Sequence, residues 1–204
     1  DVWGEIAKLT ASDGAADDFF GQSVSVDGDT AIVGAYYADL GGKVNQGAAY
    51  VFRRNQGGAD AWGQVAKLTA SDGAAGDIFG HSASVSGDTA VVGADRAAVG
   101  GNPWQGAAYV FTRSGTTWTQ KTKLFVSNGQ ASAKFGSAVA ISGDMAVVGS
   151  PLDDKGTLVD AGSIYIYKRS GNKWPFIQKL FAFASMGVDR FGTSVAVDGF
   201  SIVV

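Results

Sequence analysis

The stretch FGQSVSVDGDTAIVGA at residues 20–35 returns as FGHSASVSGDTAVVGA at 79–94 and as FGSAVAISGDMAVVGS at 135–150, and a fourth version, FGTSVAVDGFSIVV, occupies 191–204. Other landmarks keep step with it. Trp stands at 3, 62, 118 and 174, Lys-Leu begins at 8, 67, 123 and 179, and Phe-Gly begins at 20, 79, 135 and 191. The steps between tryptophans are 59, 56 and 56 residues, a period that belongs to a repeat array with several strands per unit.

Within the stretch, Val24 and Val26 alternate with Ser23 and Ser25, and later copies alternate Ala83 and Val85 with Ser82 and Ser84, then Val139 and Ile141 with Ala138 and Ala140. A period of two predicts a strand, with one face so poor in bulk that a neighbouring sheet can press on it. Asp27-Gly28, Ser86-Gly87, Ser142-Gly143 and Asp198-Gly199 supply two-residue hairpins, because glycine accepts positive φ. The following AIVGA, AVVGA or AVVGS is apolar at consecutive positions and predicts a central strand covered on both faces. GAAYVF at 47 and 106 and GSIYIY at 162 supply a third strand. WGQVAKLTA at 62–70 and its copies supply a fourth, whose Gln and Lys suit a soluble outer edge. The three extra residues of the first period fall in RRNQGGADA, a surface hairpin between third and fourth strands.

Four antiparallel strands per unit, small residues inside and polar residues outside, predict an all-β fold: a β-propeller of four-stranded antiparallel blades. Taken as one partial propeller domain over 1–204, the chain divides into repeats at 1–61, 62–117, 118–173 and an incomplete 174–204. It opens on a fourth-type strand at 3–10 and closes on a second-type strand at 201–204. The third strand of that last blade is missing, so the ring is expected to be completed by a longer parent chain or by another copy.

The composition agrees. Thirty glycines and only 17% charged residues suit tight turns and closely packed sheets. Sixteen Lys and Arg against nineteen Asp and Glu give a net charge of -3 and no basic face, which argues against a nucleic acid partner. The absence of cysteine excludes disulfides, thiolate metal sites and a cysteine nucleophile. No apolar run reaches the ~18 residues of a membrane helix, so membrane insertion is not expected, and DVWGEIAKL lacks the pattern of a signal peptide.

The recurring words FG, VGA and GAAYVF, in this order over essentially the whole chain, resemble the FG-GAP repeat, the blade motif of integrin α-subunit propellers and of many bacterial surface proteins. About three and a half repeats are present. The resemblance implies a seven-bladed ring, an extracellular or cell-surface location, and use in adhesion or ligand binding. Integrin-type repeats often carry a DxDxDG calcium loop between the first two strands. Here that connection is only DGD, SGD or DGF, too poor in oxygen ligands, so the family's calcium site is not carried over. A second acidic cluster, Asp13, Asp17 and Asp18, then Asp72 and Asp77, then Asn128 and Asp189, fits turn formation and solubility better than a weak Ca²⁺ site.

Between second and third strands each complete unit has 11 residues: YYADLGGKVNQ from 36, DRAAVGGNPWQ from 95 and PLDDKGTLVDA from 151. Length is kept while chemistry changes, and a propeller sets equivalent loops on one face. The candidate ligand-binding residues are therefore Tyr36, Tyr37 and Trp104 as aromatic contacts and Asp95, Arg96, Asp153 and Asp154 as polar ones. Trp104 is the one tryptophan of five outside the repeat register, while the other four are expected in the core. No catalytic residue is assigned. His81, the sole histidine, occupies a polar slot shared with Gln22, Ser137 and Thr193, and no HExxH or Walker pattern occurs. The expected function is non-catalytic recognition of a protein or carbohydrate ligand. The alternatives are a part-propeller that self-associates as a homo-oligomer and, more weakly, a propeller-based hydrolase or lyase.

Overall fold

Fourteen strands and no helix form among residues 4–56 and 58–204, which the computed structural model describes. The first sheet has the order β1 (Phe20–Asp27), β2 (Thr30–Ala35), β3 (Ala48–Arg54), β4 (Trp62–Leu68). The second holds β5 (Ser82–Ser86), β6 (Thr89–Ala94), β7 (Ala107–Ser114) and β8 (Thr117–Leu124). The third holds β9 (Ala138–Ser142), β10 (Met145–Ser150), β11 (Ser163–Lys168) and β12 (Phe176–Leu180), and β13 (Ala196–Asp198) and β14 (Ser201–Val203) begin a fourth. All pairs are antiparallel and sequential, so each Trp-led strand closes the sheet of the repeat before it. These are three complete blades and the inner hairpin of another.

The first strands β1, β5, β9 and β13 lie side by side. Their serines make the join: Ser25 Oγ accepts from Val85 N at 3.1 Å, Ser84 Oγ from Ile141 N at 3.2 Å and Ser142 Oγ from Gly199 N at 3.1 Å. Ser23 and Ser82 donate to the carbonyls of Gly80 and Gly136, each at 2.8 Å. A bulkier residue would hold the blades apart and leave the buried groups of Gly80, Val85, Gly136 and Ile141 unpaired. Central strands β2 and β6 are buried at every position. One core lies between the first two blades, Ile32 and Val51 against Val85, Val92 and Tyr109; another joins Val91 and Val110 to Val139, Val148 and Tyr165. The matching flank of the first blade is open, with Val24 and Val26 each 68% exposed.

Three sequence expectations need correction. The two-residue hairpins fall one position later: Asp27 pairs with Thr30, leaving Gly28 and Asp29 as the turn, with Gly28 at φ 54° in the first central position. The second Asp of DGD has its own work, since Asp29 and Asp144 pair with Arg54 and Arg169 at 2.9 and 2.6 Å, as Asp88 does with Arg113. The expected strand at 3–10 does not form over 4–10, where no third strand among the described residues offers its hydrogen bonds, and Trp3 lies outside the described residues. Of the register tryptophans, Trp174 is buried, but Trp62 and Trp118 are only half-buried and stack under Arg54 and Arg113 at the outer rim.

Candidate functional site

In each sheet the start of the first strand, the end of the second and the start of the third share one edge, which brings the 11-residue loops and the connectors ending in Phe-Gly together. Each loop is docked on the next connector by a repeated backbone ladder. Val44, Asn45 and Gln46 accept from Gly76, Ile78 and Phe79 at 2.9, 3.2 and 2.9 Å, and Pro103, Trp104 and Gln105 accept from Ser132, Lys134 and Phe135 at 2.9, 3.2 and 2.9 Å. The ladder needs a left-handed residue at its middle rung, so Asn45, Trp104 and Asp160 have φ of 54°, 54° and 52°. The scaffold thus holds the Trp104 backbone, while its ring stands 54% exposed.

Along this edge side chains from three blades meet. Phe19 lies 5.4 Å from the Tyr36 ring and 5.2 Å from Tyr37, with 4.3 Å between the two tyrosines. Tyr36 meets His81 edge-on at 5.7 Å. His81 Nδ1 is 3.9 Å from Asp95 Oδ1, and Lys134 Nζ is 3.3 Å from Asp95 Oδ2 and 6.0 Å from the centre of the Trp104 ring. Asp95 is buried, and its Oδ1 and His81 Nδ1 have no hydrogen-bond partner.

The edge therefore gathers Tyr36, Tyr37, Asp95 and Trp104 through three residues not chosen from sequence: Phe19, His81 and Lys134. The available signal was that Phe19, Ile78, Lys134 and Arg190 share one repeat position and differ most sharply there. Arg96, next to Asp95, is half-buried on the same loop. Asp153 and Asp154 are not part of the cluster. Asp153 is buried in its own blade, accepting from Tyr165 Oη at 2.8 Å, Lys179 Nζ at 2.6 Å and Ser163 Oγ. Burial first, then the Asp153 charge, pushes the Tyr165 phenol well above its ordinary value. Asp154 Oδ1 accepts from Asp160 N at 2.8 Å and ties its own loop.

The acidic connectors divide by role. Asp18 and Asp77 accept from Ala15 N and Ala74 N, both at 2.8 Å, as turn-formers do. Asp13 and Asp72 do something else: each joins a third-strand tyrosine to a fourth-strand lysine. Asp13 accepts from Tyr50 and Lys67 at 2.9 and 2.6 Å, and Asp72 from Tyr109 and Lys123 at 2.9 and 2.7 Å. The Lys67 bond holds the Asp13 carboxyl below its ordinary value; at Asp72 burial pulls upward, but Lys123 and Tyr109 together outweigh it. Among the described residues no three His, Asp or Glu side chains gather as a cation site.

Four-stranded antiparallel sheets joined through their first strands define the class: this is a β-propeller module. The sequence profile of the FG-GAP repeat matches residues 3–52, 62–111 and 118–167, and the chain belongs to the FG-GAP repeat family. No protein among those with curated descriptions matches its sequence.

Proposed function

We propose that this module is a non-catalytic recognition element of an extracellular or cell-surface protein, binding a protein or glycan through the loop edge of its blades. The observation that carries the reading is the contrast between an invariant backbone ladder and the side chains mounted on it. Tyr36 and Tyr37 in one copy become Asp95 and Arg96 in the next and Pro151 and Leu152 in the third. A scaffold that fixes its loops and varies their chemistry suits selective contact, and rigid aromatic anchors such as Trp104 bind at low entropic cost. The reading is tested with the Tyr36→Ala/Trp104→Ala variant against glycan and cell-surface protein arrays. Every ligand captured by the native protein should bind the variant about tenfold or more weakly, equivalent to ~1.4 kcal/mol. Ligands retained at full affinity would refute it.

A second reading, association between copies, has one observation in its favour. The Val24 and Val26 face is the surface that inner blades bury, yet on the first blade it is open. A serine-faced blade from another copy would cover it, and solution mass reports whether this happens.

A further inference from the structure

We propose that the third blade carries a separate small-molecule pocket that takes a single neutral sugar ring. In the first two copies the connector is clamped onto the outer strand twice. Ser12 and Ser71 exchange bonds with Gln64 and Gln120, the backbone N of each serine donating at 2.9 and 3.0 Å. Asp13 and Asp72 hold the Tyr-Lys pairs described above. In the third copy both clamps are gone. The register Tyr167 to Phe176 puts a phenylalanine where Phe52 to Gln64 and Phe111 to Gln120 put glutamine, and Asn128 replaces the aspartate. Tyr165 and Lys179 turn instead to Asp153, a residue that replaces Ala38 and Ala97. The connector is retied beyond the gap, where Gln130 Nε2 donates to Leu152 O at 3.2 Å and Gln130 Oε1 accepts from Asp154 N at 3.3 Å.

Where the clamps are lost, connector and blade enclose a cavity of about 490 Å³, against about 320 Å³ beside the clamped Asp13 and Lys67 of the first copy, and of a size that holds a small ligand. Phe125 and Phe176 stand at it 45% and 53% exposed, with Tyr167 also in its wall. Its polar groups include the Asn128 amide, the Gln130 side chain, the Asp154 carboxylate and the Asp153–Lys179 pair. Asp154 is the one further charge in the wall, so no anion is drawn in, while the Asp153–Lys179 pair cancels its own charge. That pair offers a carboxylate acceptor beside an ammonium donor, which suits adjacent hydroxyls that each donate and accept. The negative ring faces of phenylalanine suit the weakly positive C–H face of a sugar. None of these residues belongs to the Tyr36–Trp104 edge, so the two proposals stand or fall separately.

The methyl glycosides of glucose, galactose, mannose and N-acetylglucosamine, with adenosine and lysine as other amphipathic probes, are titrated into the whole chain by calorimetry and saturation-transfer NMR. At least one glycoside should bind one to one with a Kd of about 10 mM or tighter. The Asn128→Asp/Phe176→Gln variant, which restores the residues of the other copies, should keep the native circular dichroism and lose about tenfold or more in affinity. Asn128→Ala, which removes one hydrogen-bonding group without rebuilding a clamp, should weaken it less, and Tyr36→Ala/Trp104→Ala should leave it unchanged. Silence from all four glycosides, binding that survives the clamp-restoring change, or preference for adenosine or lysine would overturn the proposal.

Discussion

Gly93→Ala tests how the blades are joined. Gly93 lies in the VGA word of the second blade, and a Cβ there would meet the Gly136 carbonyl and the Ser82 hydroxyl of the join to the third. Its φ is not left-handed, so alanine suits the backbone and should stabilise by about 0.4–1 kcal/mol through the unfolded chain. Against this stand two bonds that the added carbon forces open, Gly136 N to Gly93 O at 2.9 Å and Ser82 Oγ to Gly136 O at 2.8 Å. Each is worth about 1 kcal/mol, and overpacking adds about 1–3 kcal/mol. The net expectation is a loss of about 2–5 kcal/mol, a large share of the roughly 5–15 kcal/mol that stabilises a domain. Urea unfolding followed by far-UV circular dichroism measures it. Gly115→Ala is the control, since its Cβ meets open space and only its φ of 62° opposes the change, at about 1–2 kcal/mol. A Gly93→Ala protein within about 1 kcal/mol of native would refute close packing as the reason for the VGA glycine.

Asp72→Asn makes the second copy resemble the third. Because the folded Asp72 pKa is depressed, the unfolded chain binds more protons near pH 4, and the stabilisation is present above the unfolded value of about 3.9 and lost as pH falls through the folded one. Half exposure of this carboxylate limits the gain to about 1 kcal/mol at neutral pH. The stability difference between native and variant, measured by urea titration from pH 7 to pH 2, should therefore shrink across the acid limb; a constant difference would count against the Tyr109–Lys123 clamp. If copies associate through the open flank, light scattering should give a mass that rises with concentration and falls back to 20.9 kDa in Val24→Asp/Val26→Asp. A native mass fixed at 20.9 kDa would remove that reading.

Strand order, the buried centre of each blade and the small-residue join were legible in residues 20–35 because packing imposes the same demand on every copy. A strand buried on both faces must be apolar throughout, and a blade pressed against its neighbour must carry Ser, Ala or Gly. Repetition therefore reports what is shared. The loop edge was legible in the opposite way, as the place where copies of equal length stop agreeing.

The partners of individual polar side chains were not legible. Asp13 and Asp153 occupy different repeat positions, yet both bind a Tyr-Lys pair, and only three-dimensional proximity lets one carboxylate stand in for the other. His81, Asp95 and Lys134 come from the second and third copies, and what brings them together is the docking of each connector on the loop before it. The repeated sequence determined the blade and its stacking, since these rest on local periodicity and side-chain size. The charged cluster, the buried Asp153 and the third-blade pocket were decided by tertiary structure, because a side chain 3 Å away can lie tens of residues distant along the chain.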